Sequence, residues 1–342
     1  MYDAFLKIAN TVGSASTEII GIAGEYFRQG KSLNETLKLT EAAAISAKIA
    51  GIDAAESVEY LTSALNGYQL AASEAMAVSD KFALLAAASA TDYEELAIAL
   101  SKVAAQANTS GVSMDNLLGF IAAALETTRE APENIGTAFK TIFARMGEIK
   151  DYGATLEDNV NANKVATALD SIGVALFDAQ GEMRAMDEVL IEVGERWDSL
   201  NTIQQRYLAT TLAGTRQQTR LLSIFQDFDR TMELATLSSE SDGAALAQHA
   251  KYTESLEYAF EKLNNAYEAV VQNFTNSQSI ISVVGLFTDL LNAVSAIPPE
   301  LVLFSGAIIT LPATLNLLSK GLTLGSTSFT KFGELINKYM LS

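Results

Sequence analysis

"AGIDAAESVEYLTSAL", residues 50–65, and "SGVSMDNLLGFIAAAL", residues 110–125, repeat one pattern at an interval of sixty positions. Each runs small residue, glycine, aliphatic, capping residue, then an apolar-striped helix ending in Ala-Leu. A glycine just past a helix can take the left-handed conformation that stops it, and an Asp or Ser shortly after can accept the orphan amides of the next helix. Gly51 with Asp53, and Gly111 with Ser113, therefore read as joints between helices.

Outward from these joints the punctuation continues. Ser32 with Glu35, Asp53 with Glu56 and Asp92 with Glu95 have capping-box spacing, whereas Asn116 stands where the acid after Ser113 would be. A first helix is expected from Ser16 to Arg28, stopped at Gly30. Asn66-Gly67 is expected to close the helix after Gly51, and a third helix covers Ala72 to Ala88. Its counterpart opens at Pro132, which suits a first helical position because its missing N–H would be unpaired there anyway. Residues 32–91 and 92–151 thus read as two degenerate units of three helices, within a repeated region 1–151. Identities between the units are few (Glu35/Glu95, Ala44/Ala104, Ala47/Ala107, Gly51/Gly111, Ala64/Ala124, Leu65/Leu125). Two ordinary antiparallel helix pairs are the alternative. Either way the fold class is all-α, a multi-helix stacked, solenoid-like array.

Residues 152–237 read as a further helical region interrupted by a tiny β-hairpin near 174–185. A helix over 160–171 stops at Gly173. Val174 to Phe177 are strand-like, Asp178 to Gly181 have turn chemistry, and Met183 to Ala185 pair back. Asp187 is expected to cap the next helix, which carries Val189, Leu190, Val193 and Trp197. One more helix spans Thr202 to Ala213; Gly214 interrupts it and it resumes to Leu237. Ser238 to Gly243 read as a linker. A long amphipathic helix then covers 244–276, with Leu256, Phe260, Leu263, Tyr267, Val270 and Phe274 on one stripe.

Residues 277–342 read as an apolar helical hairpin linked at Pro298-Pro299. Residues 269–288 and 301–319 carry no charge, each near the roughly 20 residues a bilayer needs. Leu301, Phe304, Ile308, Ile309, Leu311, Leu315 and Leu318 would form the better membrane segment. Gln272, Asn273, Asn276 and Gln278 in the first run, and Pro312 and Asn316 in the second, fit a buried or oligomer-facing hairpin equally well.

Composition limits the chemistry. The chain has 342 residues, 41 acidic against 23 basic for a formal charge of −18, no cysteine, one histidine and a mean hydropathy of +0.17. Four prolines fit helix almost throughout. The charge disfavours direct nucleic-acid binding. The missing cysteine excludes disulfides and thiolate metal sites. His249 lies on an expected helix without a metal-spaced partner and reads as a surface or packing residue. Glu126, Glu130 and Glu133 lie around Arg129 near a helix start, where carboxylates are favoured electrostatically. Asp178 in "FDAQG" reads as a turn-stabilising Asp. No phosphate cradle or secretory signal is evident. No catalytic, cofactor or metal site is expected, and the hinge and cap residues Gly51, Gly111, Gly173, Gly181, Asp53 and Ser113 are the positions of interest.

The ordered series of pieces resembles the tail tape-measure proteins of long-tailed phages. It rests on "FRQGKSLNE" (residues 27–35), "AAAISAKIAGIDAAESVEYLTSALNGYQL" (42–70), the stretch from "AVSDKFALLAAASATDYEEL" to "IFARM" (77–146) and "LDSIGVALFDAQGEMRAMDEVLIEVGERWDSL" (169–200). The resemblance implies a structural protein of the tail lumen whose length sets tail length and which leaves ahead of the genome. It also implies several bundled copies, and partners among the tail tube protein, tail-assembly chaperones and distal tail or baseplate proteins. Location would be the virion, with the host cytoplasm during assembly and the host membrane during infection. Whole tape measures are much longer, so the chain is expected to be a segment of a longer protein, and no cell-wall hydrolase is assigned to it. A membrane-inserting, toxin-like helical protein and a plain helical scaffold are the other readings.

Overall fold

The computed structural model describes residues 2–148 and 164–255, with 257–259, 261, 262 and 265 beyond them. The described residues are helical and contain no strand. They fall into two compact units. One is Glu25–Gln248; the other combines Met1–Gly24 with the described residues from His249 onward.

Each helix begins and ends where local chemistry dictates. Helix α2 (Ser16–Arg28) closes at Gly30, φ +79°, with the Lys31 N–H donating to the Tyr26 carbonyl at 3.1 Å. Helix α3 (Leu33–Ala50) opens on the reciprocal Ser32–Glu35 box, the Ser32 N–H donating to Glu35 at 2.9 Å. Helix α4 (Ala54–Gly67) follows the Gly51 joint, and α5 (Ala75–Ala88) follows a short 3-10 turn. Helix α6 (Tyr93–Thr109) opens on the Asp92–Glu95 box, α7 (Met114–Thr128) follows the Gly111 joint, and α8 (Pro132–Met146) starts on its proline. Helices α3, α4 and α5 touch one another; so do α6, α7 and α8; and α4 and α5 pack on α6.

The core is built from the apolar stripes of these helices. Phe82, Phe120, Phe139 and Phe143 are fully buried, each stabilising the fold by about 1.5–3 kcal/mol through area removed from water. The Phe82 and Tyr93 rings meet edge-on at 5.1 Å, and Phe139 stacks between Phe120 and Phe143 at 6.3 and 6.1 Å. Alanine lets the helices approach closely. A Cβ on Gly136 would lie 2.2 Å from the Ala99 carbonyl oxygen, so α8 crosses α6 with backbone against backbone.

Beyond α8 come α9 (Lys164–Asp170), α10 (Met186–Arg196), α11 (Thr202–Gln226) and α12 (Phe228–Ser239). Helix α12 packs on α7, and α11 packs on α8. Trp197 is a core residue, stacked on Phe225 at 4.5 Å.

Helix α4 ends at Gly67, as expected, although the left-handed residue past it is Gln69, φ +55°, with the Leu70 N–H donating to the Leu65 carbonyl at 2.8 Å. Gly67 also serves proximity, since a Cβ there would meet the Ala104 Cβ at 2.4 Å. Several other expectations need correction. The hairpin near 174–185 reduces to a single antiparallel bridge, Phe177 with Met183. Gly214 kinks α11 at φ +72°, as its interruption implied, but the helix expected to reach Leu237 breaks at Asp227, whose carboxylate accepts the Arg230 N–H at 3.1 Å. The stretch read as a linker is pinned. Ser238 and Ser241 are buried, and the buried Asp80 accepts from the Gly243 and Ala245 amides at 3.1 and 2.8 Å.

In the smaller unit, helix α1 (Tyr2–Val12) occupies a stretch that the sequence left unassigned. Its end exposes carbonyls without helical partners, and side chains from the far end of the chain satisfy them. The His249 Nε2–H donates to the Val12 carbonyl at 2.9 Å and the Asn265 amide donates to the Ser14 carbonyl at 2.7 Å. The Tyr258 ring fills the space that a Cβ on Gly13 would need. His249 is thus a buried capping residue. Helix α13 (Ala244–Tyr252) ends at a turn over Thr253–Ser255, so the long helix expected over 244–276 is interrupted there. The apolar hairpin 277–342, with the candidate membrane segment Leu301–Leu318, lies outside the described residues. Among the described residues no helix is long and apolar enough to cross a membrane.

Candidate functional site

The two glycine joints share a backbone and differ in what surrounds them. At the first, Gly51 has φ +68° and the Ile52 N–H donates back to the Ala47 carbonyl at 3.2 Å. At the second, Gly111 has φ +74° and the Val112 N–H donates to the Ala107 carbonyl at 3.0 Å. In both, the left-handed glycine satisfies carbonyls that the helix end leaves open. Asp53 then receives the Glu56 side chain on its own N–H at 3.1 Å, completing the cap within four residues.

Ser113 cannot do the same, because Asn116 offers no carboxylate. Its hydroxyl accepts the Asn116 N–H at 3.2 Å, while the Ser113 N–H turns to Asp187, 2.9 Å away. The same Asp187 oxygen accepts from the Asn116 side-chain amide at 2.8 Å. The missing acid is thus supplied from a helix seventy-four positions on. Asp187 is 3% exposed. It was expected to cap its own helix, but that cap position is Ala185, and Asp187 directs its carboxylate mainly to the start of α7. A carboxylate beside a helix N-terminus is favoured by the helix dipole.

A limb of chain delivers Asp187. Gly173, φ +75°, ends α9, and Gly181, φ +84°, makes the turn. Asp178 accepts from the Gln180 and Glu182 amides at 2.9 Å each, which is the turn-stabilising role read from the sequence. Arg184 ties the limb together: it donates to the Ala175 carbonyl at 3.1 Å and to Glu192 at 2.6 Å, and holds the Glu192 carboxyl below its ordinary range. The limb then lies on the joint. The Met186 N–H donates to the Ser110 carbonyl at 3.1 Å, and a Cβ on Gly111 would come within 3.2 Å of Ala185. Burial, and secondarily the charges of Asp187 and Asp115, push the nearby Tyr68 hydroxyl up.

The structure therefore brings Gly111 and Ser113 together with the limb that Gly173 and Gly181 shape, whereas Gly51 has no atom within 4 Å of where a Cβ would be. Gly51→Ala is expected to cost about 1 kcal/mol, the left-handed strain alone. Gly111→Ala should cost about twice that, since Ala185 must also give way. Urea unfolding of the two variants measures both, and equal losses would mean the limb does not bear on the joint.

Sequence reasoning missed three further polar clusters. Lys81, Asp115 and Ser238 join α5, α7 and α12, with Lys81 to Asp115 and Ser238 to Asp115 both at 2.6 Å. Arg220 donates to Glu130 from its Nε at 2.9 Å, and Arg230 lies 3.5 Å from Glu126. Glu126 and Glu130, two of the three carboxylates around Arg129, are thus partners of arginines on α12 and α11. No group of three or more His, Asp or Glu that could hold a metal occurs among the described residues.

Caps and ties of this kind, joining packed helices, place the chain among the all-α proteins. The chain belongs to the family of phage-related minor tail proteins, which it matches over residues 3–214. It is a tail protein and a virion component. No solved structure matches it.

Proposed function

We propose that the protein is a tail tape measure: it sets the length of the tail tube during assembly and leaves ahead of the genome. The observation that carries this reading is the family match over 3–214, joined to the ordered series of capped helices and glycine joints that resembles tape measures. On this reading residues 32–91 and 92–151 are copies of one three-helix unit, and Gly51, Gly111, Gly173 and Gly181 are its hinges. Its function is spatial and involves no catalysis, cofactor or metal. Its partners are further copies of itself, the tail tube protein, tail-assembly chaperones and distal tail proteins. It works in the tail lumen and reaches the host membrane only on ejection, through the apolar stretch 277–342.

A ruler reads out residue number. Sixty residues lying as continuous helix span about 90 Å at 1.5 Å per residue. Excising residues 92–151 in frame from the phage gene is therefore expected to yield tails shorter by up to that length in negative-stain micrographs. Infectious particles with tails of unchanged length would show that this stretch measures nothing.

A further inference from the structure

The carbonyls of Asn10 through Ser14, where α1 ends, each accept a hydrogen bond from a side chain far along the chain. The Tyr258 hydroxyl is shared between Asn10 and Thr11 at 3.3 and 3.4 Å, and His249 serves Val12 at 2.9 Å. The Tyr252 hydroxyl serves Gly13 at 3.5 Å and the Asn265 amide serves Ser14 at 2.7 Å. These donors stand 237 to 251 positions from their acceptors. The backbone itself closes locally, with the Gly13 and Ser14 N–H groups on the Ala9 carbonyl at 2.9 and 3.1 Å. Only the last carbonyls, which a helix leaves without partners, look to the far donors. Burial, and for Tyr252 then the charges of Glu257, Glu261 and Glu18, push both tyrosine hydroxyls up, so both stay protonated donors.

The same end of α1 is built to swing. Three residues, Gly13 to Ala15, join α1 to α2, and Gly13 is left-handed at φ +73°. The Tyr258 ring lies where a Cβ on Gly13 would be, 2.2 Å from its position. Helix α1 also carries less buried surface than the helices of the larger unit. Its buried apolar side chains are Phe5, Ala9 and Val12, against ten buried residues in α7. Since each buried apolar side chain adds to stability, the element with fewest opens at the lowest cost. We propose that α1 is a strap, fastened at its end by the donors of residues 249–265, which opens about Gly13–Ala15 while the larger unit stays folded. The strap couples the first helix to the far part of the chain: a polypeptide made only as far as Gln248 lacks every one of these donors. The inference does not rest on the tape-measure reading.

Amide hydrogen exchange of the full chain, read peptide by peptide in a mass spectrometer, tests this. In the natural chain the α1 peptide is expected to exchange faster than the α7 peptide. His249→Phe and Tyr258→Phe each keep a ring and remove a donor, and each should speed α1 exchange roughly two- to tenfold. Gly13→Ala should speed it further, because it strains a left-handed position and evicts the Tyr258 ring. Exchange in α7 should not move with any of the three, which also shows that each variant stays folded. Lys38→Ala, exposed on α3, should move neither peptide. Loss of protection in α1 and α7 by the same factor would make them one cooperative body with no strap. Exchange in α1 that is indifferent to all three variants would mean that these donors do not fasten it. Either result overturns the proposal.

Discussion

Gly136→Ala is expected to destabilise the larger unit by about 3 kcal/mol, although helix propensity alone would have it stabilise by up to about 1 kcal/mol. The sign is what the close crossing of α6 and α8 predicts. The new methyl would sit 2.2 Å from the Ala99 carbonyl oxygen and 2.9 Å from the Lys102 Cβ. A flexible side chain could swing away, but the carbonyl belongs to the interior of α6 and is fixed by its own helical hydrogen bonds. The two helices must separate, and Phe139 and Phe143, one and two turns along α8, lose contacts with them. Gly21→Ala in α2 is the control. No atom lies within 4 Å of a Cβ there, so the substitution should stabilise by roughly 0.5–1 kcal/mol. Urea unfolding of both variants decides the matter: a Gly136→Ala chain as stable as the natural one, or more stable, would mean that α6 and α8 do not cross at this distance.

What the sequence made legible was what four or five neighbouring residues settle among themselves. The Ser32–Glu35 and Asp92–Glu95 boxes, the Gly51 and Gly111 joints and the proline start of α8 depend only on local spacing, and so did the all-α class. The breaks at Asp227 and at Thr253–Ser255 carry no glycine or proline, and apolar spacing runs through both, so periodicity continued each helix too far. Gly67 was read only as the close of α4, where the helix does end; that it also makes room for Ala104 shows only from the neighbouring helix. The buried aspartates were the least visible feature. Asp80 and Asp187 each cap a helix to which they do not belong, and nothing in their own neighbourhood announces it. One signal did exist at the candidate site. Asn116 stands where the matching joint has Glu56, and a cap short of its acid implies that another part of the chain supplies one.

That implication gives the second large effect. Asp187→Ala should cost about 1.5–3 kcal/mol, because the Ser113 amide and the Asn116 side chain lose the charged acceptor that the buried Asp187 supplies. Loss of stability by itself would fit any buried residue, so the decisive comparison is a double-mutant cycle with Asn116→Glu. In the Asp187→Ala background, the carboxylate introduced by Asn116→Glu can reach back to the Ser113 N–H as Glu56 does to Asp53, and should restore about 1 kcal/mol. In the natural chain the same Asn116→Glu change sets a second carboxylate against the buried Asp187 and removes the amide donor that Asp187 now receives, so it should destabilise. The substitution must therefore reverse sign with its background. A coupling near zero between positions 116 and 187 would mean that α7 is capped without Asp187, and that the limb over 174–186 rests on the Gly111 joint without fastening it.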